Sequence, residues 1–447
     1  MDNRKIIKNY FDETPFTKNH LHVIILLAIA MIFEQADNYN FSFVAPVLRQ
    51  EWGISVQQVG YVNSCFAIGM LIGTFGFSIV SDKIGRKHSI VLCAVVFSLG
   101  SLLNGLAPNI ELFILFRCLT GIGISGLLIV APPYLMEMLP SKNRGRIYGI
   151  AMIAPFIGIP IVSLVCNIII PLGGEWWRLI YILGALGLVI AVLGHFWLIE
   201  SPRWLVSKGR IQEAEKNVEK IVGADKYKAD LSGQAHTKSA ERIPLSAIFK
   251  EIFNKKNWKL TIGLMLSYCF TISFGLIFIN FAGTLMLDSG FEQSQVLQLT
   301  SMLSLGIIGG PVITALFSEM GGRKIPIVFT GIITGCAIFI FATTDNYMLM
   351  CIAGMVETAV GQANIVMLNS YTPEMYPTRI RNAALGVITS VGRIFNIIMM
   401  AIFPMIYAAV GFGLSYGILG IGFLIISLCV GLFGVRTSGR SLEEISE

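Results

Sequence analysis

Residues 69–149 of this 447-residue chain recur in a single register 237 positions downstream. Ser81-Asp82-Lys83-Ile84-Gly85-Arg86-Lys87 returns as Ser318-Glu319-Met320-Gly321-Gly322-Arg323-Lys324. Glu137, Pro140 and Arg144 return as Glu374, Pro377 and Arg381, Tyr134 as Tyr371, the pair Gly69 and Gly73 as Gly306 and Gly310, and Gly149 as Gly386. Chance does not hold one register that long. The chain is two homologous halves in parallel order, and whatever one half folds into the other must repeat.

Composition says where such halves live. With 54% hydrophobic and 13% charged residues, and a mean hydropathy of +0.71, the chain is far more apolar than a soluble protein, in which about 25% of residues are charged. Apolar runs long enough to cross a core of about 30 Å lie at 21–46, 57–80, 89–107, 111–136, 147–171 and 177–199, and again at 259–287, 294–318, 325–343, 347–371, 383–409 and 412–435. The expectation is an all-α membrane protein of twelve transmembrane helices in two pseudo-symmetric six-helix bundles. Lys83, Arg86, Lys87, Lys142, Arg144, Arg146, Arg323, Lys324, Arg379 and Arg381 fall in loops on one side, with Arg49 and Arg178 among the few cations opposite. The excess of cations places that side in the cytoplasm.

The expected divisions are a cytoplasmic N-terminal segment (1–20), a first bundle (21–199), a cytoplasmic connector (200–258), a second bundle (259–435) and a cytoplasmic tail (436–447). In the connector, Ile211, Ala214, Val218 and Ile221 recur at helical spacing and predict an amphipathic helix. Residues 223–242 read as a mobile linker, and Leu245, Ile248, Phe249, Ile252 and Phe253 as a second helix on the membrane surface. The net charge of +6 is explained by loop topology, which excludes nucleic acid as a partner. The eight cysteines lie inside apolar runs without paired spacing and read as small buried hydrophobes. No phosphate-binding glycine loop or nucleophile elbow occurs, and the histidines are scattered, so neither an enzyme nor a metal site is expected.

The two six-helix halves, Asp82-x-x-Gly85-Arg86-Lys87 after the second run, and Arg117-x-x-x-Gly121-x-Gly123 in the fourth together resemble the major facilitator superfamily across nearly the whole chain. Glu200-Ser201-Pro202-Arg203-Trp204 and the repeated Glu-x-x-Pro-x-x-x-Arg are similar to the branch of sugar porters, organic-ion transporters, and niacin and aromatic-acid proton symporters. Sugar porters place glutamines in the fifth and seventh helices. Gly149–Pro160 and Ser267–Asn280 contain none, which disfavours a sugar. Phe33-Glu34-Gln35-Ala36-Asp37 and Gly392-Arg393 resemble prokaryotic metabolite:proton symporters, although those more often carry two aspartates in the first helix, and Glu34 departs from that pattern. The resemblance implies a monomer in the plasma membrane that moves a small molecule by alternating access, with a proton as coupling ion and no cofactor.

The repeat sorts the charges. Asp82, Arg86, Glu137 and Arg144 are duplicated as Glu319, Arg323, Glu374 and Arg381. With Gly85 and Lys87 they read as a cytoplasmic gate of pairs that break in each cycle, as exposed pairs worth about 0–1 kcal/mol can. The plainer alternative is that they fix topology and packing. Asp37, Glu34, Thr120 and Phe156 are not duplicated, mapping onto Phe274, Thr271, Glu357 and Arg393. Glu357 and Arg393 lie about 15 Å into their helices at about 1.5 Å per residue, near the midplane where carriers bind their cargo.

Arg393, whose planar fork matches a carboxylate, is the candidate for an anionic substrate, with Glu357, Glu34, Asn396 and Tyr268 around it. A permanent Arg393–Glu357 ion pair is the alternative. Two acids in a partly dry cavity can load a proton near neutral pH, with Asp37 the first choice and Glu34 the second. Alternatively, one of them pairs with Arg393 or binds a cation. For Arg117 the resemblance implies proton coupling or gating, and hydrogen bonding to helix-end carbonyls explains it equally. The resulting expectation is a proton-coupled symporter of a small organic carboxylate, aromatic ones included. A proton-coupled drug or organic-cation exchanger is the rival, followed by a sugar porter or a non-transporting receptor.

Overall fold

The computed structural model describes residues 5–7, 14–140, 144–231, 245–254, 258–318, 320, 322–377 and 380–434. Lys142, Glu319, Arg379, and the tail from 436 therefore lie outside the described residues. In the first half the apolar runs become α1 (Lys18–Trp52), α2 (Val56–Ile84), α3 (Arg86–Leu106), α4 (Ile110–Met138), α5 (Arg144–Leu172) and α6 (Gly174–Trp197). The connector follows with α7 (Pro202–Ser207), α8 (Ile211–Val222) and α9 (Leu245–Ile252). The second half contains α10 (Trp258–Asp288), α11 (Gln293–Phe317), α12 (Lys324–Thr343), α13 (Tyr347–Tyr371) and α14 (Arg381–Phe433). Among the described residues eleven stretches are long and apolar enough to cross a membrane. The last is broken at Gly411 (φ 76°) into two helices, which gives the twelve expected.

Contacts divide the chain into two compact units. One comprises Met1–Asn40, Ile68–Val162 and Glu175–Glu241, the other Phe41–Ala67, Ser163–Gly174 and Arg242–Glu447. The division passes through α1 and α2 in mid-helix and follows contacts, not the sequence repeat.

Packing inside each unit repeats. Gly69 and Gly73 let α2 press on α4 so closely that a Cβ would sit 2.1 Å from Cys118 O and 2.2 Å from Ile122 O. Gly306 and Gly310 bring α11 onto α13 in the same way, with Thr358, Met355 and Gln362 inside van der Waals distance of the missing side chains. Small residues that let backbones approach are how helices associate where no hydrophobic gain is available. Tyr134 donates to Ile199 O at the end of α6 (2.6 Å), and its counterpart Tyr371 lays its hydroxyl against Gly434 at the end of α14.

The Glu200-Ser-Pro-Arg-Trp motif is a cap. Glu200 Oε1 accepts from the backbone N–H groups of Arg86 (2.7 Å), Lys87 (3.2 Å) and Ser201 (3.0 Å), which answers the orphan donors at the start of α3. Ser201 caps α7 by accepting from Trp204 N, and Trp204 Nε1 donates to Asp82 O. The motif thus clamps the α2–α3 turn from the far end of the first half.

The amphipathic connector helix forms as expected, with Ala214, Val218, Ile221 and Val222 buried. The linker expectation fails at its start. Tyr227–Ala229 forms a parallel two-stranded ribbon with Lys5–Ile7, a pairing between distant triplets too short to show a period; residues 232–244 lie outside the described residues. All eight cysteines are free, but Cys336 is exposed, and Cys65 and Cys118 are only half-buried. An apolar run in a bilayer has a lipid-facing side, so apolar context does not by itself bury a residue.

Gly85 has φ 100°, and a Cβ there would lie 2.2 Å from Glu200 Oε2. Gly85→Ala should therefore destabilise the protein by more than the ~1–2 kcal/mol of a left-handed alanine, because it also displaces the cap. Gly76→Ala, on an open face of α2, is the control. Thermal unfolding of the purified protein should show a clear loss for the first and none for the second.

Candidate functional site

Asp37 is buried on α1 with 2% of its surface exposed, and three helices answer it. Its Oδ1 accepts from Ser101 Oγ of α3 (2.6 Å) and from Asn40 Nδ2 one turn on (2.8 Å). Its Oδ2 has no hydrogen bond but faces Arg117 Nη1 of α4 at 3.7 Å, with each side chain 1% exposed. Arg117 also donates to Asp37 O (3.3 Å) and Asn40 Oδ1 (3.4 Å), and its guanidinium lies 6.0 Å from the Tyr181 ring. A fourth helix closes in at Gly184 of α6, where a Cβ would stand 2.3 Å from Ser101 Oγ and 3.1 Å from Asp37 Oδ1.

Asp37 pairs with Arg117 of its own unit, so the alternative in which it pairs with Arg393 is not realised, and Arg117 binds a side chain and the backbone of mid-α1. Glu34 lies one turn before Asp37, wholly buried, and neither of its carboxyl oxygens has a hydrogen-bond partner.

In the second unit, Glu357 and Arg393 are not brought together, so the alternative of a permanent ion pair is not realised. Glu357 is 1% exposed, and its Oε1 points to the space beside Gly361, which Thr334 and Phe423 also border. Its Oε2, Thr334 Oγ1 and Tyr416 Oη are buried without hydrogen bonds. Asn364, on the same face of α13, turns to α12, donating to Ile327 O (2.9 Å) and Thr330 Oγ1 (2.8 Å). The polar face of α13 thus meets its own unit's α12 and α14, not the side of α14 that carries Arg393. Arg393 is half-buried and follows Gly392, which packs on the Tyr268 carbonyl of α10. Asn396 is buried with Oδ1 unpaired, whereas Tyr268 is committed to Asn369 Oδ1 (3.0 Å) and serves as contact between α10 and α13.

The duplicated charges form matching pairs, each inside one unit. Arg86 bonds Asp82 (2.9 Å) and approaches Glu137 (3.7 Å); Arg323 bonds Glu374 (2.8 Å) and Ser370 O (2.9 Å). Arg144 opens α5, and Arg381 Nε reaches Tyr376 O (3.4 Å). The pairs of Arg86 and Arg323 tie helix ends within their own units.

Sequence reasoning passed over Ser101 and Gly184. It also missed a cluster at the opposite end of the second unit. Arg49 pairs with Asp288 (2.8 Å), whose other oxygen accepts from Tyr407 (2.7 Å). Arg49 had been one of the few cations off the cation-rich side, and that was the available signal.

A family model described as sugar (and other) transporter matches residues 23–447. The Bacillus subtilis (strain 168) protein YyaJ, named as a metabolite transport protein, is 29% identical over 97% of this chain and 96% of its own length. The niacin transporter NiaP of Acinetobacter baylyi is 24% identical, covering 97% of this chain and 98% of that one. Among solved structures, the partially occluded inward-open xylose transporter XylE from E. coli superposes with a TM-score of 0.73 at 19% identity, over 95% of this chain and all of that one.

Breaking a buried pair costs about 3–5 kcal/mol, because it strands the remaining charge. Arg117→Leu should accordingly lower the melting temperature strongly and Asp37→Asn less, and the double variant should recover part of the loss. A double-mutant cycle with no coupling energy between the two would rule out the pair as a stabilising contact.

Proposed function

The chain belongs to the sugar (and other) transporter family, within the major facilitator superfamily, and from that membership we propose that it carries a small organic carboxylate into the cell together with a proton. The observation that supports this reading most is the buried Asp37–Arg117 pair. Ser101 and Asn40 hold Oδ1, so the carboxylate has one oxygen, Oδ2, free to take a proton. Proton loading there cancels the charge that draws Arg117 to α1, and release restores it. One proton thus switches the attraction between α1 and α4, the kind of two-state contact that alternating access needs.

Arg393 is the proposed anchor for the substrate carboxylate, because a guanidinium grips a carboxylate with two parallel bonds. An aromatic carboxylate fits the niacin-transporting relative. Phe270 and Phe395, stacked edge to face at 5.9 Å within one turn of Tyr268 and Arg393 respectively, provide an apolar wall in keeping with an aromatic cargo. The cation-rich ends, both termini and the connector are placed in the cytoplasm by the positive-inside bias, and the membrane is the plasma membrane. The duplicated pairs Arg86–Glu137 and Arg323–Glu374 then hold the cytoplasmic helix ends as rigid corners of a gate.

A second reading has an observation in its favour. Glu34 has two unbonded carboxyl oxygens and Glu357 one, and acids of this kind could serve an organic cation exchanged for protons.

Uptake into proteoliposomes with an imposed pH gradient, over a panel of aromatic and aliphatic carboxylates, organic cations and sugars, separates the readings. Carboxylates should accumulate on the side of higher pH. Asp37→Asn should abolish gradient-driven accumulation while leaving counterflow exchange. Arg393→Ala should raise the carboxylate KM at least tenfold. Competition by cations together with unimpaired carboxylate handling in Arg393→Ala would sink the carboxylate reading in favour of the exchanger.

A further inference from the structure

A cavity of about 230 Å³ opens at the cation-rich end of the first unit, between the start of α3 and connector helices α7 and α8. Its charges are unevenly answered. Arg210 and Glu213 satisfy each other through two hydrogen bonds. Glu200, 90% buried, spends Oε1 on three backbone N–H groups and turns Oε2 toward His88 Nδ1 at 3.4 Å. That leaves the ammonium groups of Lys87 on α3 and Lys220 on α8. Both line the cavity, and among the described residues neither has a hydrogen bond or an ion pair. Lys87 feels the like charge of Lys220 and, against it, the attraction of Glu200. Two cations that face one cavity from two elements, answered only by a carboxylate already spent on three backbone N–H groups, form an arrangement that a multivalent anion stabilises.

The rest of the lining narrows the class of anion. Asn217 donates to Glu200 O (3.1 Å), so its side-chain oxygen is available to accept from a hydroxyl. A bare inorganic anion does not use it. A phosphate ester with a hydroxyl group beside the phosphate does, placing its oxygens between Lys87 and Lys220 and its hydroxyl on Asn217.

We propose that this cavity is a binding site for a phosphomonoester bearing a hydroxyl group, separate from the substrate path. A bound phosphate would join α3 to α8 across the very turn that Glu200 caps, and so tie the connector to the helix end that carries Gly85 and Arg86. Its source is either a soluble organic phosphate or the headgroup of a lipid, since Leu198 and Ile199 at the end of α6 also border the cavity. The site goes beyond the transport reading and is tested without any gradient or cargo.

The test uses the full chain in phosphatidylcholine nanodiscs, titrated with glycerol 3-phosphate, and in parallel nanodiscs containing lysophosphatidate, which keeps a free hydroxyl beside its phosphate, with bound lipid counted by native mass spectrometry. Lys220 is exposed, so Lys220→Gln is the chosen variant, with Lys220→Arg to keep the charge. Saturable glycerol 3-phosphate binding that weakens at least tenfold in Lys220→Gln and survives in Lys220→Arg supports a soluble ligand. Retention of lysophosphatidate that falls in the same variant, without soluble binding, supports the lipid source. Absence of binding by both probes, or equal binding by wild type and Lys220→Gln, overturns the site.

Discussion

An ionised side chain at mid-bilayer depth costs at least about 2.5 kcal/mol, and around Asp37 the structure meets that cost with protein. Ser101, Asn40 and Arg117 reach it from α3, α1 and α4, and Gly184 lets α6 close over them. Four of the six helices of the first half are thereby committed to one carboxylate. The glycines of α3 and α6 that meet their neighbours closely, Gly100 against Thr120 and Gly184 against Ser101, follow from this: helices that must converge on a buried polar centre need surfaces that allow close approach.

The duplication shows what the two halves share and what they do not. Shared are the glycine contacts of α2 with α4 and α11 with α13, the tyrosine that reaches the last helix of each half, and the arginine–glutamate pairs at the cation-rich ends. These belong to the scaffold, since a role specific to one cargo has no reason to occur twice. The difference is clearest at Thr120 and Glu357, which occupy equivalent positions. Thr120 is satisfied by Phe116 O and Asn104, whereas Glu357 keeps an unbonded oxygen in the same kind of interhelical space. The second half thus carries an acid where the scaffold asks only for a hydroxyl.

Much of this was legible in the sequence. Apolar length set the helices, the repeat set their order, and subtracting one half from the other singled out Asp37, Glu34, Glu357 and Arg393. Partner choice was not legible. The repeat says that Asp37 is special but not that Ser101 and Arg117 face it, because those contacts join helices 64 and 80 residues apart and depend on helix rotation that hydropathy leaves undetermined. The sequence expectation set Glu357 beside Arg393. In the structure α13 turns its Glu357 face toward α12 and Tyr416, a choice made by Asn364 and the aromatic packing of Phe341, Phe412 and Tyr416. The Glu200 cap was missed for a related reason. A carboxylate that serves backbone N–H groups more than a hundred residues away leaves no local pattern.

The position of Asp37 along α1 bears on how a proton acts there. The first unit's share of α1 ends at Asn40, and the helix continues from Phe41 in the second unit. Asp37 and Asn40 therefore form the last turn that the first unit holds, and Arg117 grips that turn at Asp37 O, Asp37 Oδ2 and Asn40 Oδ1. On the proposed reading, protonation of Oδ2 removes the charged part of this grip and leaves the two neutral hydrogen bonds, which are individually worth only about 1 kcal/mol. The helix is loosened at one turn while its backbone stays intact, and a continuous helix transmits a change of tilt along its whole length. The switch is thus small in chemistry and large in reach, because it sits midway along a single helix of 35 residues.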